Sequence, residues 1–156
     1  MTTTTRVRWT TADFDDLSWH DNAIHGFRIV EVEHGAGDLV FDIDHILAWQ
    51  QEGSTFRFSV APAFLRFTGT HDLQMTIDYV ACSAGLQPPQ IETIEREEVM
   101  FPNGHRGLRW RILLNWPAGE FSFFADGFEM ALWGRTVGGG QSIAPSRRVP
   151  RDPTSS

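Results

Sequence analysis

A chain of 156 residues with 41% hydrophobic and 12% aromatic content suits one globular domain with a single core and is too apolar to be disordered. Its formal charge of −7, from 20 acidic and 13 basic residues, opposes contact with a phosphate backbone and suits a basic partner. No apolar run approaches the ~18 residues of a membrane-spanning helix, and all thirteen cations are arginine, so no lysine can act as a Schiff-base nucleophile or phosphate-loop cation.

Residues 1–12 read as a flexible extension, in which only Trp9 offers a group that could dock. "MTTTTRVRWT" lacks the apolar stretch of a signal peptide, so none is expected. Next comes "SWHDNAIHG", residues 18–26, which gathers Trp19, His20, Asp21 and His25 ahead of the first alternating run. "FRIVEVE", "HGAG" and "DLVFDIDHIL" then predict a hairpin turning on residues 34–37. That register sets Val32 against Leu39, Val30 against Phe41 and Arg28 against Ile43 on one face. The reverse face pairs Phe27, Ile29 and Glu31 with Asp44, Asp42 and Val40.

"TFRFSV" and "AFLRF" follow, with a bend or edge at Ala61-Pro62. "LQMTIDY" puts Leu73, Met75, Ile77 and Tyr79 on one face. "IETIEREEVM" has the composition of a helix as much as of a strand, but "PNG" and the alternating "RWRILLNW" behind it favour a hairpin. Trp110, Ile112, Leu114 and Trp116 alternate toward a core. Phe121, Phe123 and Ala125 are expected to face Phe128, Met130 and Leu132 across a primed Asp126-Gly127 turn. From Gly138, "GGGQSIAPSRRVPRDPTSS" contains only Ile143 and Val149 as sizeable apolar groups, so residues 138–156 read as a disordered tail. Without it, residues 1–137 carry ten arginines against nineteen carboxylates, near −9.

The period-two signal therefore predicts an all-β domain over residues 13–137: a single antiparallel sandwich or barrel of about eight or nine strands. At most one short helix is expected, at residues 80–90 or 45–52.

His20, Asp21 and His25 have the ligand chemistry of zinc and similar ions, but a strand would point residues 20 and 25 to opposite faces. His-Asp recurs at His71-Asp72, again just before an alternating strand. Both dipeptides then read as strand starts, with the aspartate bonding backbone N–H groups. Asp42 and Asp44 share a face, which reads most simply as a solvated outer sheet face, and otherwise as acid–base carboxylates or part of a contact surface. Trp19, off any predicted core face, is a candidate interface anchor. No G-x-S-x-G or phosphate-binding loop occurs. Cys82 is the sole cysteine, so no intramolecular disulfide framework is possible, in keeping with a reducing cytoplasm.

The stretch "WHDNAIHGFRIVEVE…GDLVFDID", within residues 14–47, resembles small bacterial all-β domains that open with histidine-aspartate, an aliphatic residue and a hairpin. Some of these are classed as predicted immunity proteins of polymorphic toxin systems. The resemblance marks His20, Asp21 and Ile24, and implies binding and neutralising a toxin in the cytoplasm. The expected function is accordingly a non-enzymatic cytoplasmic protein, without cofactor or metal, that binds a basic protein through Trp19, His20, Asp21, His25, Asp42 and Asp44. The alternatives are a metal-dependent hydrolase or isomerase using His20, Asp21 and His25, and a barrel holding a small apolar ligand among the phenylalanines.

Overall fold

Alternating apolar and polar side chains can be segregated to two faces only in extended chain. The computed structural model, which describes residues 6–83 and 85–151, contains ten strands. They are β1 (Arg8–Thr10), β2 (Ala23–Glu31), β3 (Gly37–Glu52), β4 (Thr55–Thr68) and β5 (His71–Ile77). β6 (Gln90–Met100), β7 (Arg106–Trp116), β8 (Gly119–Phe124), β9 (Gly127–Leu132) and β10 (Val137–Gly139) complete the set. Every pairing between them is antiparallel, and the described helical structure is confined to short 3-10 turns at Thr11–Asp16, Glu33–Gly35 and Pro145–Arg147. The protein is an all-β domain.

The strands form one sheet in the order β1-β9-β4-β3-β2-β6-β7-β8-β5, with β10 also on β4. Its two ends, β1 and β5, do not pair, so the sheet is not a closed barrel. The halves join at a single pair, Ala23 with Gln90, and face each other across the core. Phe67 of β4 packs edge-on against Phe123 of β8 at 4.7 Å, and Trp110 of β7 against Phe128 of β9 at 5.8 Å. Phe41, Ile43, Leu65, Ile91, Ile112 and Phe121 fill the space between, all fully buried. The interior phenylalanines are in ring-to-ring contact.

Several local expectations are corrected. The first hairpin turns on Val32–Ala36, with His34 and Gly35 both at positive φ, and Glu31 pairs with Gly37. This slips the register by three residues, an odd number, and so exchanges the faces of β2. Ile29 and Phe27 lie opposite Leu39 and Phe41, while Arg28 lies opposite Val40. The predicted turn at Asp126-Gly127 is a crossing between ladders. Ala125 N–H donates to Leu108 O and Asp126 N–H to Thr68 O, and β8 and β9 are not neighbours in the sheet. Their apolar side chains instead enter the same core from opposite halves of the sheet, Phe123 against Phe67 and Phe128 against Trp110. Residues 45–52 are strand, extending β3 into a long ribbon with β4 that turns at Gly53, φ 63°. The segment after β5 is a turn closed by Asp78, whose Oδ1 accepts from the N–H groups of Val80 and Ala81 at 3.0 Å.

Both ends expected to be loose are docked where described. Trp9 of β1 pairs with Met130 and is buried. Val137–Gly139 adds to the edge of β4 opposite Val60, Ser59 and Phe58. Ile143 is buried, and Gly134 bridges to Pro150. Composition marks this tail as poor in apolar groups, yet one buried isoleucine, a short ladder and the ion pairs below hold it. Residues 1–5 and 152–156 lie outside the described residues.

Candidate functional site

The residues singled out in the sequence divide among three environments. Trp19, expected at an interface, belongs to the core, 5% exposed, with its ring 5.8 Å from Phe128 and 6.0 Å from His45. Its Nε1 is buried without a hydrogen-bond acceptor among the described residues. Beside it, Asn22 and His45 make a buried polar pair. Asn22 Oδ1 accepts from the Ile46 N–H, which orients the amide so that Nδ2 donates to His45 Nδ1 at 2.9 Å. Burial pushes the His45 imidazole down to about 4, so it stays neutral at physiological pH.

Asp21 stands at the turn into β2 with φ 65°, a conformation aspartate tolerates better than most residues. Asp72 of the second His-Asp dipeptide shares it, at φ 53°. Among the described residues, the carboxylate of Asp21 does not bond backbone N–H groups as expected. It accepts from the side-chain amides of Asn115 at 2.8 Å and Gln141 at 2.9 Å, while His20 Nδ1 lies 3.0 Å away on the open side. Asp21 thereby joins β2, the end of β7 and the tail.

His20 and Asp21 form one wall of an open groove of about 680 Å³, together with Ser18 and Gln141. The other wall is the β3–β4 ribbon, through Ile46, Ala48, Trp49, Phe56 and Phe58. Trp49 is 61% exposed and Phe56 53%, with ring centroids 5.5 Å apart. β2 accompanies β3 only as far as Asp44, and the Ile46 N–H is taken by Asn22, so among the described residues β3 from Ala48 to Glu52 pairs with β4 alone and its other edge is free. Sequence reasoning missed Trp49 and Phe56 because it allowed a helix over residues 45–52. The signal was the "EGST" turn between two aromatic-bearing runs.

The third environment holds His25, Asp42 and Asp44. Asp44 is fully buried, with Oδ2 2.6 Å from His25 Nε2 and 2.7 Å from the Ile143 N–H, and Oδ1 2.9 Å from Arg148 Nε. Burial alone raises the Asp44 carboxyl, but the hydrogen bonds from His25, Ile143 and Arg148 outweigh it and hold the group below its ordinary range. Asp42 takes both terminal nitrogens of Arg148, at 2.9 and 2.7 Å, and the Trp133 indole N–H at 3.0 Å. The guanidinium carbon lies 5.2 Å from the centre of the Trp133 ring, which stacks on Phe64. The solvated acidic face expected of Asp42 and Asp44 is thus covered by the tail.

These positions do not converge on one metal. His20 is held at Asp21 and His25 at Asp44, and among the described residues no three His, Cys, Asp or Glu side chains are placed to hold an ion. The His25–Asp44 pair has the form of an oriented general base. It borders a cleft of about 260 Å³ with Phe27, Ile77, Pro89 and Phe121, where the sole hydroxyl is that of Tyr79. That hydroxyl donates to Gln87 O, and burial together with the nearby Cys82 raises its pKa, which keeps it protonated. No family model matches the chain, and no curated protein matches it.

Proposed function

We propose that this protein is a non-enzymatic binding protein that captures a protein partner in the groove between the β3–β4 ribbon and His20/Asp21. The observation that carries the reading is the exposed Trp49–Phe56 pair on a projecting ribbon, bordering that groove. Large aromatic side chains in contact, with polar groups on the opposite wall, make the anchor-and-rim pattern of interface hot spots. The free β3 edge beside them offers backbone groups to a partner. A net charge of −7 over the whole chain favours a basic partner by long-range attraction. An immunity-like role, neutralising a basic toxin in the cytoplasm, is the biological form we assign to it. The single free and exposed Cys82 is at home in a reducing compartment.

The test is comparative capture from cells of the source organism, using wild type, Trp49→Ala and Phe56→Ala as baits. A partner retained by wild type should bind the purified variants roughly 30-fold or more weakly, the loss of about 2 kcal/mol expected of a hot-spot aromatic. Equal affinity of all three proteins would move the binding surface away from the groove.

A further inference from the structure

The contact between Arg148 and the acid pair is built like a ligand site. A planar guanidinium lies against the face of Trp133. Its two terminal nitrogens run in parallel to the two oxygens of Asp42, and its Nε reaches Asp44. One terminal nitrogen also donates to the Ile43 carbonyl at 3.3 Å. Fork-to-carboxylate bonding combined with stacking is the recognition mode of arginine, which an ammonium cannot reproduce. The walls belong to β3 and to Trp133 just after β9, whereas the cation comes from the tail. Its side chain is 8% exposed.

The tail has the makings of a detachable strap. It follows three consecutive glycines, Gly138–Gly140, and Ile143 is its only fully covered apolar side chain between Gly138 and Arg151. Segments held by so few apolar contacts open at lower cost than the core. Lifting it would leave Asp44 hydrogen-bonded to His25 and Asp42 to the Trp133 indole, with no guanidinium bridging the two carboxylates. A partly desolvated carboxylate pair attracts a replacement cation strongly.

We infer that Asp42, Asp44 and Trp133 form an arginine-binding site, filled in cis by Arg148 and open to an arginine side chain of a basic protein when the tail lifts. The exchange with a partner rests on the basic-partner reading above, but the site itself does not.

The test therefore uses a small probe and no partner. Arg148→Ala in the full chain should melt below wild type. Acetyl-arginine amide should raise its melting temperature saturably and shift the Trp133 indole N–H resonance, while acetyl-lysine amide acts about tenfold more weakly or not at all. Wild type, its site filled, should respond to neither at the same concentrations. Adding Asp42→Asn to Arg148→Ala should abolish the response. If Arg148→Ala does not fold, Arg148→Lys takes its place, since the probe must then displace an ammonium that cannot bridge both carboxylates. The inference is overturned if the probe does not bind, if the two probes act equally, or if binding survives Asp42→Asn. A positive result with the probe, followed by a captured partner whose affinity ignores Arg148→Ala, would retain the site and remove only its use by that partner.

Discussion

His45 Nδ1 accepts the Asn22 amide at 2.9 Å in a setting closed to solvent, and the bond requires that nitrogen to be unprotonated. The folded-state pKa is about 4 against an ordinary 6.5, so between these values the unfolded chain binds a proton that the folded chain refuses. Stability is therefore complete above pH 6.5 and falls as pH drops toward 4, by on the order of 3 kcal/mol from this residue. Urea unfolding across that range should show the decline, and His45→Gln should flatten it. Parallel slopes in the two proteins would contradict the assignment.

Below pH 4 the lowered carboxyl of Asp44 adds a second decline. Its stabilisation is present above the ordinary carboxylate value and is lost as pH falls through the folded one. Asp44→Asn should remove this acid limb while lowering stability at neutral pH, because Arg148 loses a buried counter-charge and His25 a carboxylate hydrogen-bond partner.

A chain ending at Val137 should lose about 2–4 kcal/mol, since it strips Asp42 and Asp44 of Arg148 and uncovers the site of Ile143. The expected fall in melting temperature is roughly 5–15 °C. Unchanged melting would mean that the docked tail contributes nothing to the fold.

Two tryptophans should behave oppositely. Trp19→Ala should cost about 3–5 kcal/mol as a core cavity, whereas Trp49→Ala should change stability by under about 0.5 kcal/mol. Chemical denaturation of both variants decides between core and surface roles directly. Phe123→Ala, fully buried between Phe67 and Phe41, belongs with Trp19.

Asp21→Ala should destabilise by about 1–2 kcal/mol, through strain at φ 65° and loss of the bonds to Asn115 and Gln141. Asp21→Asn should cost less, because asparagine tolerates that conformation and can still accept hydrogen bonds. Equal losses would locate the effect in the charge alone.

What the chain by itself determined was local. Alternation at Trp110–Leu114 and Phe121–Ala125 picks out buried side chains, because a strand has only two faces, although Trp116, expected on the same face, is only half-buried. The turns at "PNG" and "PAG" follow from residue chemistry over a few positions. The His-Asp dipeptides could be recognised as strand starts, and both aspartates do adopt positive φ there.

Only the tertiary structure decided which strands are neighbours. Phe121 and Phe128 have the same alternating pattern whether they pair in a hairpin or enter one core from separate ladders, and burial is satisfied either way. Trp19 lay outside every periodic run, so nothing local showed that it would be buried against Phe128 and His45. The groove needed the ribbon's length, which depends on where β2 stops accompanying β3. Arg148 shows the reason most plainly. Its ion pairs reach 104 and 106 residues back along the chain, and the counter-charge of a buried cation is a property of the folded arrangement, invisible to any window of sequence.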